Sequence, residues 1–134
     1  MSDTESQRSR GMIVLFVCRG NASRSQMAEA IFKHLAKGKF EALSAGLKPA
    51  ERISSKAKAV LKEIGIEWNG KPKALTREMI ERADLIVAMC EGDFPKEKTI
   101  YWDVEDPMGK DLEFYRAVRD EIYSRVKELL NSLG

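Results

Sequence analysis

Apolar residues follow two rhythms along this chain. Met12 to Val17 is an unbroken, β-branched apolar run, the length of a strand buried on both faces. A short Gly/Asn/Ser loop follows, and then Met27, Ile31 and Leu35 recur at helical spacing. Phe40 to Ser44 predicts a second strand, closed by Ala45-Gly46. Ser55 to Ile64 carries Ala57, Val60, Leu61 and Ile64 on one helical face, with Gly65 as its stop. Thr76 is the expected N-cap of a short helix through Ala83, with Met79, Ile80 and Ala83 inward. Asp84 to Met89 predicts a third buried strand ending at Cys90, and Lys98 to Trp102 a short fourth. From Asp111 to Leu133, the apolar residues Val118, Ile122, Val126, Leu129 and Leu133 recur in steps of three and four, the clearest helix in the chain.

Strands alternating with helices predict an α/β fold, a mainly parallel sheet covered on both faces. Such sheets bind ligands beyond the carboxyl ends of their strands. Cys18, Cys90 and the segment after Trp102 all fall at such ends. Residues 1–11 are polar and predict a disordered N-terminal tail; residues 12–134 suit a single catalytic domain.

Composition removes several alternatives. A net charge of +2, with basic residues interleaved among acids, gives no footprint for nucleic acid. No apolar run approaches the roughly 20 residues that span a bilayer. The amino terminus lacks the apolar stretch of a signal peptide, so a cytoplasmic location is expected. Two cysteines are too few for a disulfide scaffold, and with His34 as the sole histidine no metal site is expected. His34 itself reads as a surface residue of the first helix.

The loop Cys18-Arg19-Gly20-Asn21-Ala22-Ser23-Arg24-Ser25 joins the first strand to the first helix. At such a junction, orphan backbone N–H groups and the positive end of a helix dipole converge on an anion. Gly20 is expected to let the backbone turn and approach a ligand, and Asn21 to accept a left-handed conformation. Successive N–H groups then line a nest for a tetrahedral oxyanion, with Arg24 placed to grip two of its oxygens. The same field favours the thiolate of Cys18, a nucleophile that Ser25 can steady by a hydroxyl hydrogen bond. Asp106, in Glu105-Asp106-Pro107, is the candidate general acid, held in a loop that Pro107 stiffens. Arg19 either adds positive potential at the mouth or points into water.

With these residues in place, the chain resembles the low-molecular-weight protein tyrosine phosphatases and the thioredoxin-coupled arsenate reductases that share their fold. The matching segments are Val14-Leu15-Phe16-Val17-Cys18, Gly20-Asn21, Arg24-Ser25, Ser44-Ala45-Gly46, Ala83-Asp84-Leu85-Ile86 and Asp106-Pro107, in family order from Met12 onward. The resemblance implies a three-layer α/β/α fold with a four-stranded parallel sheet. It also implies Cys18 as nucleophile, Arg24 as oxyanion clamp and Asp106 as acid, with no cofactor.

Departures from the family pattern bear on the choice between its branches. Both branches usually carry a cysteine just before the loop arginine, where this chain has Ser23; Ser23-Arg24-Ser25-Gln26 also fits a capping box. Met108-Gly109-Lys110 follows Asp-Pro where tyrosine phosphatases place aromatic residues, leaving Trp102, Tyr101 or Phe94 as an aromatic wall or as packing. Gln26-Met27-Ala28-Glu29 and the run from Trp102 to Pro107 look more like the reductases. Cys90 matches their first resolving cysteine, but the further cysteine of that branch is missing after it. Cys90 is otherwise a small apolar residue at a strand end. The reading placed first is a phosphomonoester hydrolase acting on a phosphorylated protein or small aryl phosphate. The second is an arsenate reductase supplied by thioredoxin or glutaredoxin. A non-catalytic phosphocysteine carrier comes third, because Asp106 and Arg24 would promote hydrolysis.

Overall fold

The computed structural model describes residues 12–134, so the tail expected over 1–11 lies outside the described residues. Strand β1, Ile13–Cys18, is entirely apolar and takes a central place, with Val14 to Val17 fully buried. Helix α1, Arg24–Ala36, leads to β2, Glu41–Gly46, and α2, Ser55–Glu63. Helix α3, Arg77–Arg82, precedes β3, Leu85–Ala88. Strand β4, Thr99–Tyr101, and the long helix α4, Leu112–Leu133, complete the order.

The sheet runs β2-β1-β3-β4, with every pair parallel. The side chains of β1 alternate between its two faces. Val14, Phe16 and Cys18 point into a large core with Met27, Ile31 and Phe32 of α1, Val60 and Leu61 of α2, and Ile122 and Val126 of α4. Leu15 and Val17 face a smaller core with Ala45, Ile86, Ala88 and Phe94, covered by Met79 and Ile80 of α3. This is the three-layer α/β/α arrangement with four parallel strands.

Local chemistry sets the element ends. Thr76 caps α3 as expected, accepting from the Met79 N–H at 3.1 Å, and Asp111 caps α4 through the Phe114 N–H at 2.9 Å. Strand β4 starts one residue later than the apolar pattern predicts. Lys98 instead closes a 3₁₀ turn, and its ammonium donates to the Ile80 and Ala83 carbonyls at 2.6 and 2.8 Å, satisfying the end of α3. Trp102 leaves the strand for the large core, 5.9 Å from Phe16 between ring centroids. No helix among the described residues is long and apolar enough to cross a membrane.

Candidate active site

Beyond Cys18 the backbone turns sharply, and its carbonyls are taken up on the outside of the turn. The segment after β2 runs alongside it: the N–H groups of Leu47, Lys48, Ala50 and Ser54 donate to the carbonyls of Cys18, Arg19, Gly20 and Ala22 at 2.8–3.2 Å. Gln26 Nε2 takes the Asn21 carbonyl at 3.0 Å, and the Met27 N–H takes that of Ser23 at 2.8 Å. With the carbonyls committed there, the loop N–H groups at the start of α1 remain for an anion. The Asn21 N–H already points to Cys18 Sγ, at 3.2 Å.

The left-handed turn is made at Asn21, whose φ is 51°, as its residue type predicts. Gly20 does not supply it: its φ is not positive, and a Cβ there would meet nothing within 4 Å. Its place is on the wall of the pocket that Cys18 lines. The glycine that packing demands is Gly46, at the end of β2, where a Cβ would lie 2.8 Å from the Arg19 carbonyl oxygen and 2.9 Å from Asn21 N.

The hydrogen bonds behind the thiol take their direction from a donor that cannot reverse. The Lys73 N–H can only donate, and it reaches Asn21 Oδ1 at 2.9 Å. That orients the Asn21 amide, so Nδ2 donates to Ser25 Oγ at 2.6 Å and Ser44 Oγ at 3.0 Å. Ser44 then sends its proton to the Glu29 carboxylate at 2.6 Å, which Lys33 balances at 2.8 Å. Ser25 Oγ lies 2.9 Å from Cys18 Sγ, with its own proton free to be donated to a Cys18 thiolate. Asn21, Ser25 and Ser44 are fully buried, so water offers them no competing partner.

Ser23 does not cap α1. Its backbone, at φ −134° and ψ −76°, turns the hydroxyl away from the helix N–H groups. The hydroxyl lies 3.4 Å from the Tyr115 hydroxyl on α4. Gln26 does not reach back to Ser23 either; its Oε1 accepts from the Trp68 indole at 2.7 Å. The expected capping box is therefore absent, because the twist that builds the nest sets the Ser23 dihedrals. Tyr115, unmarked by sequence reasoning, also accepts from Ser54 Oγ at 3.1 Å and so joins the loop, α2 and α4.

Arg24 lies across the carboxyl edge of the sheet. Its Nη1 donates to the Met89 and Val104 carbonyls at 2.7 and 3.0 Å, and Nη2 stands 3.7 Å from Asp106 Oδ2. Asp106 Oδ1 accepts from the Met108 N–H at 3.1 Å, which fixes the carboxylate at the end of the loop. Cys18, Gly20, Ala22, Ser23, Arg24, Asp106 and Met108 line one small pocket. Arg19 is exposed and is not among the residues that line it.

Cys90 stands elsewhere, half-buried in a second pocket with Met89, Tyr101 and Trp102. Burial pushes its thiol above the ordinary range, the Cys18 charge adds to the rise, and Arg24 and Arg19 oppose it. Of the expected aromatic wall, Phe94 and Trp102 are packed in the two cores, and Tyr101 is exposed beside Cys90 instead. His34 lies exposed in the last turn of α1.

The family model of the low molecular weight phosphotyrosine protein phosphatases matches residues 13–134. The chain belongs to this family. A glutaredoxin arsenate reductase from Synechocystis sp. is 36% identical over 133 residues, covering 90% of this chain and 98% of that protein. Among solved structures, the YwlE arginine phosphatase from Geobacillus stearothermophilus has 37% identity and a TM-score of 0.85, covering 91% of this chain and 92% of that one. The arsenate reductase from Archaeoglobus fulgidus has 40% identity and a TM-score of 0.78, covering 88% and 98%. Family members similar to this chain thus carry either activity in their names.

Proposed function

We propose that the protein is a cysteine-dependent phosphomonoester hydrolase working through a cysteinyl-phosphate intermediate. One observation carries this reading: Cys18, Arg24 and Asp106 line a single pocket, whereas Cys90 lines another. A phosphoryl group in the nest meets loop N–H groups, with Arg24 held beside it by two carbonyls. The Cys18 thiolate attacks phosphorus, the P–O bond breaks, and Asp106 protonates the departing oxygen. Asp106, now a carboxylate, takes a proton from water as that water attacks the intermediate. The S–P bond breaks, the thiolate returns to the Ser25 hydrogen bond, and phosphate leaves. The substrate is a phosphorylated protein or a small aryl phosphate, met in the reducing cytoplasm.

The arsenate reductase reading has its own support in the arsenate reductases similar to this chain, the Synechocystis and Archaeoglobus proteins among them. A thiolate, from Cys90 or from glutaredoxin or thioredoxin, would attack Cys18 sulfur in a Cys18–arsenic(V) adduct. The S–As bonding pair would pass to arsenic, releasing arsenite and leaving a disulfide. The separate pocket of Cys90, its raised thiol and the lack of a further cysteine rank this second.

A paired assay separates the two: aryl phosphate turnover beside arsenate reduction driven by thioredoxin or glutaredoxin. Cys18→Ser should lose phosphatase turnover, and Asp106→Asn should lower kcat/KM for poor leaving groups by about 100-fold or more, far more than for good ones. Arsenate reduction that disappears in Cys90→Ser, with phosphatase activity intact, would reverse the ranking.

A further inference from the structure

The catalytic pocket continues into a neighbouring groove of about 430 Å³, and the two share Ala22 and Met108. Ala50, Arg52, Ile53, Ser54, Ser55, Lys56 and Tyr115 supply the rest of its lining. One part is hydrocarbon: Ala50, Ile53 and Met108, which is 61% exposed on the ridge between the two depressions, with the buried Ala22 and Tyr115 beneath them. An exposed methionine at such a ridge is a soft, adaptable contact surface.

The other part is cationic. Arg52 and Lys56 are both exposed. Among the described residues, neither has a carboxylate partner within salt-bridge distance. The Lys56 ammonium donates to the Lys110 carbonyl at 2.6 Å and lies 5.9 Å from the centre of the Tyr115 ring. Those contacts hold its position and leave its charge uncompensated. The position of the segment is also fixed, because the Ala50 and Ser54 N–H groups bond to the catalytic loop itself.

From the shared wall, the continuing uncompensated positive charge and the fixed backbone, we infer that this groove receives the chain on one side of the phosphorylated residue of a protein substrate. It selects segments with an apolar residue followed by an acidic one. The phosphoryl group seated over Cys18 directs the rest of the substrate past Ala22 and Met108. The apolar side chain then rests against Ile53 and Met108, and the carboxylate meets Arg52 and Lys56. This deepens the phosphatase reading and rests on it for the placement of the phosphoryl group.

The test compares two phosphotyrosyl peptides that differ only in Glu or Gln at the flanking positions. Affinity is measured on Cys18→Ser, which separates binding from chemistry, and kcat/KM on the otherwise native enzyme. The acidic peptide should be favoured by about tenfold at low salt in both measurements, and the preference should shrink at high salt. In the double variant Arg52→Gln/Lys56→Gln it should fall to about twofold or less. Equal treatment of the two peptides, absence of binding by both, or a preference that survives the double substitution overturns the groove. Aryl phosphate turnover by the native enzyme judges the phosphatase reading separately: turnover without peptide preference sinks the groove alone, and peptide preference in binding without turnover sinks the hydrolase alone.

Discussion

A hydroxyl placed between a fixed amide donor and a sulfur has one direction in which to send its proton. Ser25 is in that position, held by Asn21 Nδ2 at 2.6 Å and facing Cys18 Sγ at 2.9 Å. In the proposed cycle the sulfur is nucleophile first and leaving group second, and the hydrogen bond helps most when the thiolate departs. A hydrogen bond to a charged group contributes about 1.5–3 kcal/mol, so Ser25→Ala should slow breakdown of the intermediate by roughly 10–100-fold. Stopped-flow turnover of an aryl phosphate should then give a burst of phenol followed by a slow steady state. Equal slowing of both phases would mean that Ser25 merely supports the loop. The residues of this centre were legible to different depths. Asn21 was readable because its type tolerates a left-handed backbone, which the loop demands. Ser23 was misread because a capping box needs an ordinary helix entry, and the nest twists that entry. Tyr115 left no local signal, since its partner Ser23 lies 92 residues away in sequence.

Helices α2 and α4 meet through more than apolar packing. The Glu63 carboxylate accepts from Arg116 at 2.9 Å and Arg119 at 2.8 Å, and the largely buried Arg119 also donates to the Val60 carbonyl at 2.9 Å. The Arg116 hydrogen bonds, aided by Arg119, hold Glu63 below the usual carboxylate range, with partial burial opposing them. A carboxyl group lowered on folding contributes stability above its unfolded value, and that contribution is lost as pH falls through the folded one. Glu63→Gln should therefore lower Tm by a few degrees at neutral pH, and the gap to the native protein should narrow in acid as native Glu63 takes up its proton. Melting curves across that range check it; a gap independent of pH would remove ionisation from the explanation. Added salt should also narrow the gap, because the pair is partly exposed. The elements themselves were readable wherever apolar rhythm decided them, as in β1 and α4. Their ends moved where a polar side chain decided, as Lys98 does for β4. The bridge from Gly46 to Ala74, which fastens the 69–75 stretch against the loop, was invisible because that stretch has no apolar rhythm.

At the scale of the whole molecule, the anion nest is a junction as well as a site. Its carbonyls are held by the segment after β2, its asparagine by Ser44 and Lys73, and Arg24 ties it to the end of β3 and the loop after β4. A ligand that binds only this assembled junction stabilises the entire fold by mass action, by about 2.7 kcal/mol when its concentration is a hundred times Kd. Saturating phosphate or vanadate should therefore raise Tm by on the order of 10 °C relative to chloride at equal ionic strength. Arg24→Lys tests the origin of that shift. It keeps a positive charge near Asp106 but loses the planar fork that can hold two carbonyls and still present an N–H to an oxyanion. Its ligand-free Tm should fall, since the Met89 and Val104 carbonyls lose their common donor. More tellingly, most of the anion-induced rise should disappear. A full rise in Arg24→Lys would assign anion binding to the backbone N–H groups alone and reduce Arg24 to a strut across the sheet edge.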